Sequence, residues 1–100
     1  MQVKFDHIAV NVKDIEKSIE WYVENLEADI TYQDNTWALM TIGGIKLALT
    51  VPSQHDPHIA FKVKDISQFN DDEIKVHRDG VKYVYKRDPD GNCIEWVCYK

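Results

Sequence analysis

The sequence predicts an α+β fold built from two βαβββ modules, the second with a shortened helix. Three observations predict it. The phrase DHIAVNVKDI at Asp6–Ile15 returns as PHIAFKVKDI at Pro57–Ile66, identical at seven of ten positions with an offset of 51. A repeat longer than a solenoid unit and present only twice points to one supersecondary module made in two copies. Behind the first copy, apolar residues recur at helical spacing, whereas most of the remaining apolar segments are short and strand-like. Turn residues then divide those segments, with Asp34-Asn35, Gly43-Gly44 and the run Asp88-Pro89-Asp90-Gly91 at the breaks.

Taken in order, Val3–Val12 reads as a strand. Ile8, Val10 and Val12 form a uniformly aliphatic face suited to a packed core, and Phe5, His7, Ala9 and Asn11 form a mixed face suited to a pocket wall. Asp14 is placed to cap a helix running to about Glu27, whose stripe is Ile15, Ile19, Tyr22, Val23 and Leu26. Trp21 and Tyr22 read as packing residues rather than a cofactor box. Strands follow at Ala28–Gln33, Trp37–Ile42 and Ile45–Val51, with Gly43-Gly44 suited to a two-residue hairpin. In the second module the strand is His58–Val63, and Asp65–Glu73 has room for only a short helical turn. Ile74–His77 is a weak strand, Val81–Lys86 a better one, and Asn92–Tyr99 closes the chain. The expected organisation is a single domain, 1–100, with modules 1–51 and 57–100 and a linker over 52–56.

The composition narrows the function. One hundred residues suffice for one core that buries roughly two thirds of the unfolded chain's surface. A net charge of −5 argues against a nucleic-acid or anionic-membrane surface. No apolar run approaches the roughly 18 residues of a spanning helix, and the N-terminus lacks the apolar core of an export signal. Cys93 and Cys98 stand five apart in one predicted strand, so they point to opposite faces and cannot pair with each other. Unpaired thiols without an export signal lead us to expect a cytoplasmic protein.

The repeat also proposes a site. Each copy carries a histidine at the same position, His7 and His58, and a pseudo-twofold axis relating the modules would bring the two together. GGIKLAL at Gly43–Leu49 matches DGNCIEW at Asp90–Trp96 in pattern, which aligns Ala48 with Glu95. A carboxylate flanked by Ile94, Trp96 and Val97 is costly to bury without a partner. Taken singly, His7 reads as a satisfied core histidine and Glu95 as an exposed carboxylate. Taken together, two imidazoles and one carboxylate make a facial metal-binding set with coordination positions left for water and substrate.

The runs HIAVNVKDIEKSIEWY, HIAFKV and RDPDGNCIEW resemble the vicinal oxygen chelate superfamily, the glyoxalase, bleomycin resistance and extradiol dioxygenase family, over essentially the whole chain. The most specific part is DPDGN followed two residues later by Ile94-Glu95. The resemblance implies eight strands curling as a mixed sheet around a pocket, with His7, His58 and Glu95 at three family ligand positions for one divalent metal (Fe, Mn, Ni or Zn). It also implies a small substrate with vicinal oxygens, a lyase, isomerase or ring-cleaving dioxygenase reaction, and a homodimer. The fourth position departs from the family, because Ala48 stands where glyoxalase I has a Glu ligand and can neither bind a metal nor move a proton. No base is assigned; His55, His77, Tyr83 and Tyr85 are candidates, each reading first as structural. Glu27 replaces a glycine common in the family. Trp37, Tyr83, Tyr85 and Tyr99 offer stacking surfaces, and Asn11, Lys46, Thr50 and Lys62 share the parity of the ligand set, the lysines reading first as rim residues. The rival reading is a binding protein without catalysis, like the bleomycin-resistance proteins.

Overall fold

The computed structural model describes residues 2–99; Met1 and Lys100, the ends of the expected domain, lie outside them. Its elements are β1 (Lys4–Asn11), α1 (Ile15–Leu26), β2 (Asp29–Gln33), β3 (Trp37–Ile42), β4 (Ile45–Thr50), β5 (His58–Lys62), β6 (Lys75–Val76), β7 (Lys82–Arg87) and β8 (Cys93–Cys98). The eight strands are hydrogen-bonded in the order β2-β3-β4-β1-β5-β8-β7-β6. The sheet is mixed: β1 with β4 and β5 with β8 are parallel, while the hairpin pairs are antiparallel. Two units account for it, as the repeat predicts, the first βαβββ and the second four strands without the helix. The chain divides at β1, with His7–Pro57 forming one compact unit and the residues up to Asp6 joining those from His58 onward in the other. The start of β1 thus belongs with the second module, a consequence of its place between β4 and β5 in the order.

In the His7–Pro57 unit, α1 begins where Asp14, in extended backbone, accepts the Lys17 N–H at 3.1 Å through its carboxylate. Ile15 and Ile19 pack with Ala28, Ala38, Met40 and Leu49 into a core that Val10, Val12 and Tyr22 border. The predicted stripe is buried only in its first two turns, since Val23 and Leu26 are exposed. The hairpin from β3 to β4 turns on Gly43 and Gly44, both at positive φ (55° and 82°), the conformation a two-residue hairpin loop demands. Asp34 closes the preceding turn by accepting from Thr36 N–H, Thr36 Oγ1 and Trp37 N–H, and Tyr32 Oη donates to its other oxygen at 2.6 Å. Those donors, Tyr32 first, hold the Asp34 carboxyl well below the usual carboxylate range.

The helix ends on Glu27 in the left-handed region (φ 51°, ψ 42°), which a residue with a Cβ adopts at a cost of about 1–2 kcal/mol. Glu27→Gly is therefore expected to stabilise the protein by roughly 0.5–1 kcal/mol, part of the gain being offset by the entropy glycine adds to the unfolded chain. A urea melt that moves to lower midpoint in this variant would contradict the cap assignment.

In the second unit, β5 pairs with β8 in the register His58↔Cys93 and Ala60↔Glu95, and β7 pairs with β8 in the register Tyr85↔Glu95. The segment matching α1 is not helical. Hydrogen bonds from Phe69 N to Ile66 O, Glu73 N to Asn70 O and Ile74 N to Asp71 O make isolated turns, and Asp65 takes the Ser67 N–H with its side chain. So short a segment cannot offset the cost of nucleating a longer helix. Phe69 packs on Trp96 instead, with the Lys86 ammonium 5.4 Å from the Phe69 ring centre. The turn into β8 is tied by Asp88, whose carboxylate accepts Asp90 N–H, Asn92 N–H and Asn92 Nδ2, with Gly91 at φ 88°. No helix among the described residues is long and apolar enough to cross a membrane.

Candidate metal centre

Strand β8 supplies the central residue. Along it Cys93, Glu95 and Val97 are buried and alternate with half-buried neighbours, so one face turns inward. Glu95 is 1% exposed. Its position is made by small and flat neighbours: Ala60, wholly buried, lies beside it on β5, and Tyr85 lies beside it on β7. An ionised carboxylate so placed would cost several kcal/mol without partners. It has three.

His58 Nε2 is 3.3 Å from Glu95 Oε1, and His77 Nε2 is 2.9 Å from Glu95 Oε2. Tyr85 also bonds to Glu95 through its hydroxyl, and burial first, then the Glu95 charge, raises its pKa far above that of an ordinary phenol. Tyr83 is raised as well, by burial and then by Glu95. Both phenols therefore keep their protons, and Tyr85 acts toward the carboxylate as a donor. Rings surround it closely: His58 and Tyr85 lie 5.3 Å apart, Tyr83 and Tyr85 5.0 Å, and His77 stacks on Tyr83 at 3.6 Å with 12° between planes.

The two imidazole contacts differ in kind. At 2.9 Å the His77 contact has the length of a charge-assisted hydrogen bond. The His58 contact, at 3.3 Å, is longer than such bonds usually are. Two ligand atoms, each about 2.1 Å from one ion at angles of 90–110°, stand about 3.0–3.4 Å apart. The donor types and this spacing both suit a divalent cation held by His58 and Glu95.

The other sequence-predicted residues sort as follows. His7 is half-buried on β1 in the His7–Pro57 unit, and Ala48, on β4 beside Ala9, is buried and offers no donor. Asn11 is structural, its amide giving hydrogen bonds to Thr50 Oγ1 at 2.9 Å and to the His55 carbonyl at 2.8 Å. Phe5, expected on the mixed face of β1, packs edge to face on Phe61, whose side chain leaves β5 opposite to His58 and Ala60. Asp6 is the residue turned to Tyr99, accepting its hydroxyl at 2.7 Å. Tyr99 is thereby engaged as a donor, with burial and then Asp6 raising its pKa. Trp37 stacks on Tyr32, and Lys46 and Lys62 are exposed, as rim lysines would be. Neither cysteine forms a disulfide. His77 and Tyr85 were legible only as candidates for acid–base work; the sequence gives no hint that they would meet on one carboxylate.

Comparison with known proteins is consistent with this layout. The family model described as Glyoxalase/Bleomycin resistance protein/Dioxygenase superfamily matches residues 4–80. A metallothiol transferase FosB of Staphylococcus epidermidis is 37% identical over 93 residues, which cover 85% of this chain and 66% of that protein. The chain thus spans about two thirds of the length of that relative. A FosB of Staphylococcus saprophyticus is 31% identical over 111 residues, covering 90% of this chain and 73% of its own. Among solved structures, a hypothetical protein from Bacillus halodurans C-125 superimposes with a TM-score of 0.80 at 20% identity, covering 100% of this chain and 96% of that one. A methylmalonyl-CoA epimerase from Mycobacterium tuberculosis gives 0.76 at 17% identity, covering 96% and 87%. At such identities these two structures establish the fold.

Proposed function

Because the chain belongs to the Glyoxalase/Bleomycin resistance protein/Dioxygenase superfamily, we propose that it is a divalent-metal enzyme whose ion is held by His7, His58 and Glu95. The observation that carries the reading is the Glu95 carboxylate, buried to 1% and set 3.3 Å from an imidazole nitrogen. Support for the third ligand comes from the repeat, which gives His7 the position His58 has in its own copy. Two imidazoles and one carboxylate are also the donor types that such an ion takes as a facial set. When bound, such an ion acts as a Lewis acid on substrate oxygens and stabilises negative charge developing there.

The substrate on this reading is a small molecule with oxygen atoms placed to reach the ion. Among reaction types we favour group transfer over the isomerase, lyase and dioxygenase chemistries expected from the resemblance. The name metallothiol transferase, carried by relatives more than 30% identical, supports that choice. So does Ala48: isomerisation needs a base that removes a carbon-bound proton, and Ala48 supplies none. Transfer of a thiol to an electrophile asks for no base strong enough to take a carbon-bound proton, since a thiol is far more acidic, with a pKa of about 8.5. What the chain's own groups contribute is a carboxylate held by His58, His77 and Tyr85, and two phenols that keep their protons.

Anaerobic calorimetric titration with Mn(II), Fe(II), Ni(II) and Zn(II) tests the proposal. At least one of them is expected to bind at about one ion per chain, and His58→Ala is expected to lose that heat while keeping its thermal transition. Heat from none of the four metals would contradict the enzyme reading. It would favour the second reading, a binding protein without catalysis, to which the buried Ala48 is the observation that points.

A further inference from the structure

We propose that His77 is a positioning residue that fixes which oxygen of Glu95 faces the metal. The inference rests on the metal reading above and adds to it a residue that the repeat does not supply. His77 has no counterpart in the first module's ligand pattern; it lies just past β6, at the start of the turn into β7.

The geometry separates the two carboxylate oxygens. Oε2 is taken by His77 Nε2 at 2.9 Å, and Oε1 lies on the His58 side at 3.3 Å. An ionised carboxylate only accepts, so the His77 contact is an N–H donated from Nε2, and this nitrogen carries the proton. The ring that donates it is itself held. It lies flat on Tyr83, 3.6 Å between centres and 12° between planes. Its backbone is clamped by reciprocal hydrogen bonds, His77 N to Val81 O and Gly80 N to His77 O, both 2.8 Å. Gly80, at φ 88°, allows the turn to close so tightly, and Asp79 braces it by accepting the Val81 N–H at 3.1 Å.

Position adds a second argument. The His77 side chain is 25% exposed and that of Glu95 1%, so His77 stands on the solvent side of the carboxylate. With a donor fixed on Oε2, Oε1 is the oxygen left turned to the His58 side, where the ion would bind. Without His77, the carboxylate is free to swing or to bind through both oxygens, which changes the coordination number and weakens the site. Residues that orient a ligand in this way typically contribute about 10–100-fold in metal affinity.

The test uses Co(II), whose visible spectrum reports coordination number, on the whole chain. His77→Phe keeps a flat ring for Tyr83 but removes the donor; it is expected to weaken Co(II) binding about 10–100-fold and to shift the visible bands. His77→Gln restores an N–H donor at nearly the same reach and is expected to recover affinity to within about 3-fold, with wild-type bands. Independently of any variant, nitrogen-15 spectra of the wild-type protein loaded with Zn(II) should keep His77 protonated at Nε2 and its exchange slow. Wild-type affinity and bands in His77→Phe, or loss of the Nε2 proton on Zn(II) loading, would overturn the proposal. His58→Ala measured alongside separates the two ideas. If it loses Co(II) while His77→Phe does not, the positioning role fails and the metal reading stands; if it retains Co(II) in full, both fail.

Discussion

On the proposed reading, Glu95→Gln is expected to lower the affinity for a divalent metal by more than about 100-fold, beyond the effect of losing an outer partner, because it takes the charge from one of the three proposed ligands. The substitution keeps the size and shape of the side chain, so the fold should survive. It replaces one accepting oxygen by an amide that can only donate. Glu95 accepts from His77 at Oε2 and from Tyr85. The amide leaves at least one of these donors facing another donor in a buried site, at a cost of about 1–3 kcal/mol. The metal-free variant should therefore melt several degrees below the wild type, while calorimetric titration shows no metal heat. Metal heat equal to the wild type would remove Glu95 from the centre.

Leu49→Ala is expected to have the largest effect on stability, about 2–5 kcal/mol. Leu49 is wholly buried on β4, opposite Val10 of β1 and Ala38 of β3, and it packs with Ile15, Ile19 and Met40. Its neighbours are drawn from α1, β1 and β3, so they cannot close over the missing atoms without moving the helix. Against a typical total of about 5–15 kcal/mol for a small domain, that loss is a large fraction. A urea melt should show the midpoint fall with little change in slope. A loss under about 1 kcal/mol would mean that the helix does not pack on these strands as described.

Much of this was legible in the residues. Every predicted strand is present, with most ends displaced by a residue or two, because alternation, Gly43-Gly44 and Asp88–Gly91 mark strands and turns through local forces. Glu95, which alone reads as an exposed carboxylate, stood out through its alignment with Ala48 and the repeated histidines; the structure buries it with His77 and Tyr85 as partners. Three features were not legible, each for a physical reason. The turns over 65–74 replace the expected helical turn because the segment is too short to offset the cost of nucleating a helix. Phe5 departs from the expected face where β1 passes from one unit to the other, a change of partner that strict alternation cannot encode. His77 reaches Glu95 only through the closed turn at Gly80, and 18 residues of sequence separate the two.

The central claim is that two imidazoles, one from each copy of the repeat, share an ion with the β8 carboxylate. Pulsed electron paramagnetic resonance of the Mn(II)-loaded protein, with nitrogen-15 introduced into histidine alone, counts the imidazoles directly. The account predicts two directly bound histidine nitrogens in the wild type. One bound nitrogen, or none, would contradict it.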